Sequence, residues 1–565
     1  TIDNYNKEDF EIEGTELKKY KRSNNFFIHM RIVKVPIGVT SIGSGAFANC
    51  SSLMVIIIPN SVVSIGSAAF SNCGNLQNVK IPSSVTRIGS SAFSGCSSLE
   101  SIEIPNSVTK IDESTFQGCN KLTRIEIPDS VNEIGQWSFV NCISLTQITI
   151  PSSVKCIGWN AFGNCAQLKS IEIPDGTTSI MGCAFSGCKN LRNIVIHDGI
   201  TNIEHSIFEG CSNLISIAIP KSIVSICLDA FKGCNNLKNV YIDDLLSWCK
   251  IKFIKSGYSS NPFRNAHIFI NNIPITKLEI PDGITSIDED MFQEYNTITS
   301  IIIPRSVRSI GAGAFVRCSN LSHVEIPSLV TTIGDRAFYG CDRLKSIEIP
   351  SYVNSIGNSA FSNCNNLTSI TVSKLNYKYH SLNNCIIETE SKKLIVGCNN
   401  SVIPDDGSVT IIGYSAFHNC NVLTDVVIPN SITSIEDWAF EGCFNLRSVV
   451  IGNSVTSIGR YAFARCPKLT SINIPSSVTS INYDAFLDCK SLTSVIIPDG
   501  VTCICDAFSG CSSLTYVEIP SSIKYFDLSV FSRCKNLKSI IYRGTKAQFK
   551  KSIEGMIISK IFTIK

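Results

Sequence analysis

Cysteine and histidine are the side chains of this sequence best suited to nucleophilic catalysis or metal binding, and their spacing favours neither. The chain has 26 cysteines and 7 histidines in 565 residues. The histidines are far apart, and none forms the H-E-x-x-H pattern of a zinc-binding helix. The sequence has neither the Gly-Lys pair of a phosphate-binding loop nor a G-x-S-x-G nucleophile elbow. His380 and Cys385 are close enough in sequence to form a cysteine–histidine nucleophile, so an enzyme stays one open alternative.

Most of the cysteines follow a fixed period that gives them a structural role. A cysteine returns every 23 residues from Cys50 to Cys234, with phenylalanine three positions before it and leucine three positions after it. Such self-similarity marks a solenoid, in which each coil buries its apolar side only against its neighbours. We therefore expect the periodic cysteines to be buried and reduced, rather than to form a disulfide framework.

One coil has the frame C-x-x-L-x-x-I-x-I-P-x-x-V-x-x-I-x-x-x-A-F-x-G/N. The β-branched stretch that ends at the proline predicts a short strand, and a second, very short extended piece follows it. The Ala-Phe segment predicts a single helical or 3-10 turn. Glycine or asparagine before the cysteine predicts a left-handed residue that closes the coil. The fold class is thus a repeat solenoid, a right-handed superhelix of short parallel β-strands with little long helix.

Composition and charge exclude several classes of protein. The net charge is +3, from 49 basic and 46 acidic residues, which gives no general affinity for nucleic acid. No run of 18 apolar residues is present, so we expect no direct membrane insertion. Nothing in the sequence calls for a cofactor or a metal, and we expect a monomer.

Two interruptions of the period divide the chain. The first contains an amphipathic helical pattern around Trp248, and the second contains alternating stretches that predict a hairpin. The predicted organisation is an N-terminal hairpin-like cap (1–35), repeats (36–240), an insert with a short helix (241–275), repeats (276–372), a hairpin-like insert (373–405), repeats (406–541) and a C-terminal cap (542–565).

These residues resemble a known family. The repeat IPxSVTSIGxxAFxGCxxLxSI is similar to the treponemal-type leucine-rich repeat of BspA-like surface proteins, and so are the insert DLLSWCKIKF and the tail YRGTKAQF. The resemblance implies a leucine-rich-repeat fold and a cell-surface or secreted protein that binds a protein or glycan. It implies no catalytic residues. No leader, wall-sorting signal or membrane anchor is recognisable, so the expected location rests on the resemblance alone.

Candidate binding residues lie at the outward positions of the longer strand, which we expect on the concave side. Adjacent carboxylates there would favour a cation or a basic protein patch, although they would also simply keep a solvated sheet soluble. Aromatic residues near the first insert add a second group, in which we expect Trp248 and Phe263 to be buried and Tyr258 to be exposed. The candidates are Glu103, Arg124, Glu126, Glu172, Tyr241, Tyr258, Glu325 and Glu348.

The sequence therefore favours a non-enzymatic interaction or adhesion protein, which binds through a rigid array of displayed side chains. A structural spacer or stalk that self-associates is the second alternative. An enzyme with its site in residues 241–275 or 373–405 is the third.

Overall fold

The computed structural model describes residues 7–21, 32–254, 262–523, 528–548 and 562–564. The chain divides into two units, Thr1–Pro274 and Ile275–Lys565. Each unit is a solenoid whose coils contribute one longer and one shorter strand to two parallel ladders. The predicted fold class is confirmed.

In the first unit, residues 23 apart pair along the longer strands, as Ser170 pairs with Asn193 and Ile171 with Ile194. This register carries every inward isoleucine onto the next one, so the ladder and the core repeat together. The longer strands are Ile32–Lys34, Val55–Ile57, Asn78–Lys80, Ser101–Ile102, Arg124–Glu126, Gln147–Thr149, Ser170–Ile173, Asn193–Ile196, Ser216–Ile219, Asn239–Ile242 and His267–Ile270.

The shorter strands of the first unit form the second ladder, and the N-terminal hairpin joins its end. Phe10–Glu13 pairs antiparallel with Glu16–Tyr20, which pairs parallel with the first short strand. The short strands are Ser41–Ile42, Ser64–Ile65, Arg87–Ile88, Lys110–Ile111, Glu133–Ile134, Cys156–Ile157, Ser179–Ile180, Asn202–Ile203, Ser225–Cys227 and Lys252–Ile254. A 3-10 helix, Lys7–Asp9, precedes the hairpin.

The first insert contains the α-helix Leu245–Lys250, which begins where the Asp244 carboxylate accepts the Ser247 N–H at 2.8 Å. The helix leads directly into the short strand Lys252–Ile254. Ile273–Pro274 then pairs antiparallel with the last longer strand of the unit. The insert is thus built around an otherwise regular coil.

The second unit repeats this plan. Its longer strands are Lys277–Glu279, Ser300–Ile302, His323–Glu325, Ser346–Ile349, Ser369–Val372, Asp425–Ile428, Ser448–Ile451, Ser471–Asn473, Ser494–Ile496, Tyr516–Pro520, Ser539–Arg543 and Phe562–Ile564. Its short strands are Ser286–Ile287, Ser309–Ile310, Thr332–Ile333, Ser355–Ile356, Ile411–Ile412, Ser434–Ile435, Ser457–Ile458 and Ser480–Ile481. A 3-10 helix covers Leu528–Phe531.

The second insert is a three-stranded antiparallel arrangement of Tyr379–Leu382, Cys385–Glu388 and Lys393–Val396. Its last strand pairs parallel with Ile411–Ile412, so the insert also supplies a rung of the short-strand ladder. Gly397 then lies against the Phe417 ring, where a side chain would collide with it.

The Ala-Phe segment is a series of hydrogen-bonded turns rather than the single helical or 3-10 turn that the sequence suggests. Its N–H groups bond to the next coil, as from Ala68 to the Ser90 carbonyl at 2.8 Å and from Phe70 to the Ala92 carbonyl at 2.8 Å. The predicted left-handed residue before the cysteine is confirmed, with φ of 73° at Gly95. A second left-handed residue, two positions before the phenylalanine, was not predicted because alanine, serine and even tryptophan occupy it. Together they form a third ladder on the turn side of each coil.

The core consists of stacked columns. The Phe139 and Phe162 rings lie 5.2 Å apart and 1° from parallel, and both side chains are fully buried. The periodic thiols are free and buried, except that Cys534 is half-buried. Each donates to the carbonyl of a phenylalanine in the preceding coil, as from Cys142 Sγ to Phe116 O at 3.2 Å. The cysteine column therefore packs as a small apolar group and also satisfies a buried backbone acceptor.

Cys503 and Cys505 form a disulfide that the sequence analysis did not anticipate. They flank the buried Ile504 in the coil that is one residue shorter than its neighbours. The periodic column is therefore reduced as predicted, and the bridge lies outside it.

Candidate partner-binding surface

Outward side chains of the longer strands form an exposed surface on each unit, here called the strand face. In the first unit Glu103, Glu126 and Glu172 are all exposed on it. Glu103 and Glu126 are directly paired through their backbones, so their carboxylates project side by side from neighbouring coils. Arg124 is exposed two positions before Glu126 on the same strand, and neither makes an ion pair within the part of the chain that the structure describes. The structure thus places this predicted subset on one face.

A histidine that the sequence analysis did not select joins the acidic column. His197 Nε2 lies 3.1 Å from Glu172 Oε1, and its Nδ1 lies 3.3 Å from Asp175 Oδ1. Asp175 and His197 follow the strands of adjacent coils, so they meet only through the stacking of the coils. Reading the sequence in register at 23 residues would have revealed this neighbourhood.

The strand face of the first unit becomes apolar beyond Glu172. Val195 pairs with Ala218, Ala218 pairs with Tyr241, and Tyr241 pairs with Phe269. The Tyr241 and Phe269 rings stack with centroids 5.0 Å apart and 26° between their planes. Phe269 escaped the sequence analysis because the insert hides its register with the preceding coil.

A groove of about 510 Å³ joins the acidic and apolar parts of this face. Its lining includes Thr149, Glu172, Pro174, Asn193 and Val195. Carboxylate and amide groups therefore stand beside exposed aliphatic surface within one concavity, as in sites that combine an apolar anchor with orienting polar contacts.

In the second unit Glu325 and Glu348 are exposed on adjacent longer strands. They line a groove of about 430 Å³ together with His323, Ser346 and Ser373. The candidate residues are therefore not gathered at one site, because the structure places these two in the second unit and the others in the first.

The predictions for the aromatic residues of the first insert divide. Trp248 and Phe263 are buried, 1% and 0% exposed, as predicted. Phe263 stacks at 5.0 Å on Phe231 and so continues the core column. Tyr258 lies outside the described residues.

The structure does not assemble the cysteine–histidine pair considered from the sequence. His380 Nδ1 hydrogen-bonds to Thr389 Oγ1 at 2.9 Å. Cys385 is fully buried, and its thiol donates to the carbonyls of Asn383 and Val402 at 3.7 Å. Burial raises the pKa of Cys385 to about 12, which suppresses the thiolate a nucleophile needs.

Two further searches cover the described ranges. They contain no group of three or more histidine, cysteine, aspartate or glutamate side chains arranged to hold a metal ion. No helix in those ranges has the length and apolar character needed to cross a bilayer.

Three solved structures are similar to this chain. One is a leucine rich cell surface protein of Faecalibacterium prausnitzii, 25% identical with a TM-score of 0.37 over 81% of this chain and 92% of that chain. Another is a leucine-rich repeat protein of Bacteroides ovatus, 22% identical with a TM-score of 0.37 over 100% of this chain and 97% of that chain. The third is the pneumococcal vaccine antigen PcpA, 16% identical with a TM-score of 0.46 over 66% of this chain and 89% of that chain.

The comparison with curated proteins finds no match. The family model for the BspA type leucine rich repeat region, which contains six copies of the repeat, matches residues 23–146, 132–256, 264–388 and 396–506. These matches cover most of the chain and coincide with the coils described above. The chain therefore belongs to the BspA type leucine rich repeat family.

Proposed function

We propose that this protein is a non-enzymatic interaction protein, which binds a partner protein through the strand face of its first unit. The partner segment would carry basic residues for the glutamate column and an apolar side chain for the Val195–Phe269 end. The carrying observation is the groove beside Glu172 and Val195, where a carboxylate and exposed aliphatic surface stand together. By family membership and the described location of the Faecalibacterium protein, the site of action would be the cell surface or the exterior.

Electrostatics support this choice of partner. The exposed carboxylates of Glu103 and Glu126 project from adjacent coils without a cation between them among the described residues. Coils in a parallel ladder are about 5 Å apart, so the like charges repel each other. A lysine or arginine of a partner would relieve that repulsion and set the register of the complex.

The rigidity of the array supports binding as well. The outward positions belong to strands whose backbones are paired on both sides and whose inward neighbours, such as Ile125 and Ile171, are 4% exposed. The displayed side chains therefore lose little backbone freedom when a partner docks, which keeps the entropic cost of association low.

The test captures partners of the intact chain from an extract of cell-surface and matrix proteins. The variant carries Glu103→Gln, Glu126→Gln and Glu172→Gln. The matched control carries Glu11→Gln, Glu113→Gln and Glu204→Gln, which removes the same charge from other positions of the first unit. We expect the first variant to weaken the recovered partner about tenfold or more, and the control to bind like the parent chain.

Two further results complete the design. A Tyr241→Ser variant should weaken the same partner, since it removes half of the exposed aromatic pair. If each partner binds the strand-face variant and its control equally, the glutamates only keep the sheet soluble and the proposal is wrong.

A further inference from the structure

A row of aromatic side chains occupies the turn side of the second unit. Tyr414, Trp438, Tyr461 and Tyr483, here called the aromatic row, come from four consecutive turns that precede Phe417, Phe440, Phe463 and Phe486. Tyr414 is 39% exposed and Tyr483 is 51% exposed, while the two residues between them are half-buried. This side of the coil is separate from the strand face, and the family repeat does not specify these residues.

The fold does not require aromatic residues at these positions. Trp438 and Tyr461 occupy the left-handed position of the turn, with φ of 56° and 54°. Ala68 and Ser91 occupy the same position in the first unit at φ of 53° and 57°. Bulky residues are disfavoured at positive φ, so their presence in two successive turns needs a reason other than the turn itself.

The rings are fixed in a continuous arrangement. Trp438 and Tyr461 stack at 5.5 Å with 7° between their planes, and Tyr414 meets Trp438 edge-on at 5.0 Å. The Arg460 guanidinium lies 5.9 Å from the centre of the Tyr483 ring. Because the ring faces are used within the row, the row presents ring edges and hydroxyl groups outward. Ring edges carry partial positive charge and favour electron-rich partners.

The open charges beside the row are cationic. Arg336 and Arg460 are exposed and make no ion pair among the described residues. Arg336 also lies near the start of the row, because burial raises the pKa of Tyr414 and the charge of Arg336 opposes that rise.

The nearby carboxylates already have partners within the protein. Asp437 Oδ1 accepts the Arg460 N–H at 2.6 Å, and Asp335 Oδ1 accepts the Asn358 N–H at 2.7 Å. Glu441 lies 3.3 Å from Arg465 Nη1. The carboxylates are thus engaged, whereas two guanidinium groups are free for a ligand.

We propose that the aromatic row, with Arg336 and Arg460, is a second docking surface, which binds an acidic segment of a partner protein. Tryptophan, tyrosine and arginine are the residues that dominate protein-binding hot spots, and the free guanidinium groups select carboxylates. The strand face of the first unit selects the opposite charge, so the two surfaces would hold different segments.

The test selects ligands for the intact chain from a phage-displayed library of random dodecapeptides. We expect recovered peptides rich in aspartate and glutamate, whose binding falls about tenfold or more in Arg460→Glu and in Tyr483→Ser. Arg460→Lys should restore most of the affinity for acidic peptides. The matched controls Arg343→Glu and Tyr352→Ser alter exposed residues elsewhere in the second unit and should leave binding unchanged.

Several outcomes would overturn this inference. One is recovery of no acidic peptide, and another is acidic peptides that bind the row variants and the controls alike. A loss of thermal stability in Tyr461→Ser without any loss of peptide binding would show that the row only braces the coils. The strand-face glutamine variant separates this test from the proposed function, because it should bind the acidic peptides normally.

Discussion

The phenylalanine column makes the most quantitative prediction, and Phe338 is its best test. The side chain is fully buried, and its ring stacks on Phe315 at 5.3 Å and on Phe361 at 5.5 Å. Phe338→Ala therefore removes a buried ring and two aromatic contacts. Core phenylalanine truncations cost about 3–5 kcal/mol, and an aromatic pair contributes about 0.5–1.5 kcal/mol beyond its buried area. We expect a loss near the upper end of that range in the free energy of unfolding of the second unit.

A double-mutant cycle tests whether the column acts through neighbours. Phe338→Ala and Phe361→Ala remove partners that touch, so their combined effect should differ from the sum by about 0.5–3 kcal/mol. Phe338→Ala with Phe486→Ala should be additive within about 0.5 kcal/mol, because several coils separate them. Urea denaturation followed by circular dichroism measures both cycles.

The reasoning would be refuted by a loss below about 1 kcal/mol for Phe338→Ala, because a buried ring cannot be so cheap to remove. Equal coupling for the adjacent and the distant pair would also refute it, since the stacked-coil account requires nearest-neighbour energetics. Phe444→Ala is the control, because that phenylalanine is 49% exposed and should cost little.

Three other predictions follow from titration, thiol burial and association. His418 should make the second unit less stable as pH falls: burial, together with Arg336 and Arg465, lowers its pKa to about 4. The unfolded chain then binds a proton that the folded chain refuses between pH about 6.5 and about 4, which costs on the order of 3 kcal/mol at the acid end. Burial also raises the pKa of neighbouring Glu441, which offsets part of this loss, so the check is a smaller pH dependence of the urea midpoint in His418→Gln. Maleimide labelling of the native chain should reach the half-buried Cys156, Cys183 and Cys227 before Cys142, whose pKa burial raises to about 12. Equal labelling rates by mass spectrometry would contradict the buried column. Finally, like-charged glutamate columns should repel a second copy, so sedimentation velocity should show one concentration-independent species; reversible assembly would favour the stalk alternative.

The sequence predicts the ladders well, because a strict period carries register as well as composition. Once Phe47 and Phe70 are placed in one column, the pairing of Ser41 with Ser64 follows without further information. The left-handed residue before each cysteine is equally predictable, since glycine and asparagine are the residues that tolerate positive φ. The second left-handed position could not be predicted in this way, because Trp438 and Tyr461 give no such signal.

The candidate surface was predictable only where the period is unbroken. Glu103, Glu126 and Glu172 were found by alternation along the strand, and the structure exposes all three. Phe269 was missed because the insert before it shifts the count by more than one period. His197 was missed because its partners Glu172 and Asp175 lie in the preceding coil, and a linear search for ligand spacing does not look there.

The chemistry of the cysteine column was only half predicted. Burial follows from periodicity and from the preference of free cysteine for protein interiors. The bond from each thiol to a phenylalanine carbonyl of the preceding coil depends on the turn geometry, as for Cys96 Sγ and Phe70 O at 3.2 Å. That contact explains why alanine, which has a similar size, would not replace cysteine without loss.

Hydrogen–deuterium exchange of the intact chain, with and without the partner recovered from the surface extract, tests the binding account most directly. If the strand face of the first unit is the docking surface, the bound partner should slow exchange in peptides that contain the outward positions of Arg124–Glu126, Ser170–Ile173 and Asn239–Ile242. Slowed exchange confined to the turns, or no change in these strands at saturating partner, would show that another part of the molecule makes the contact.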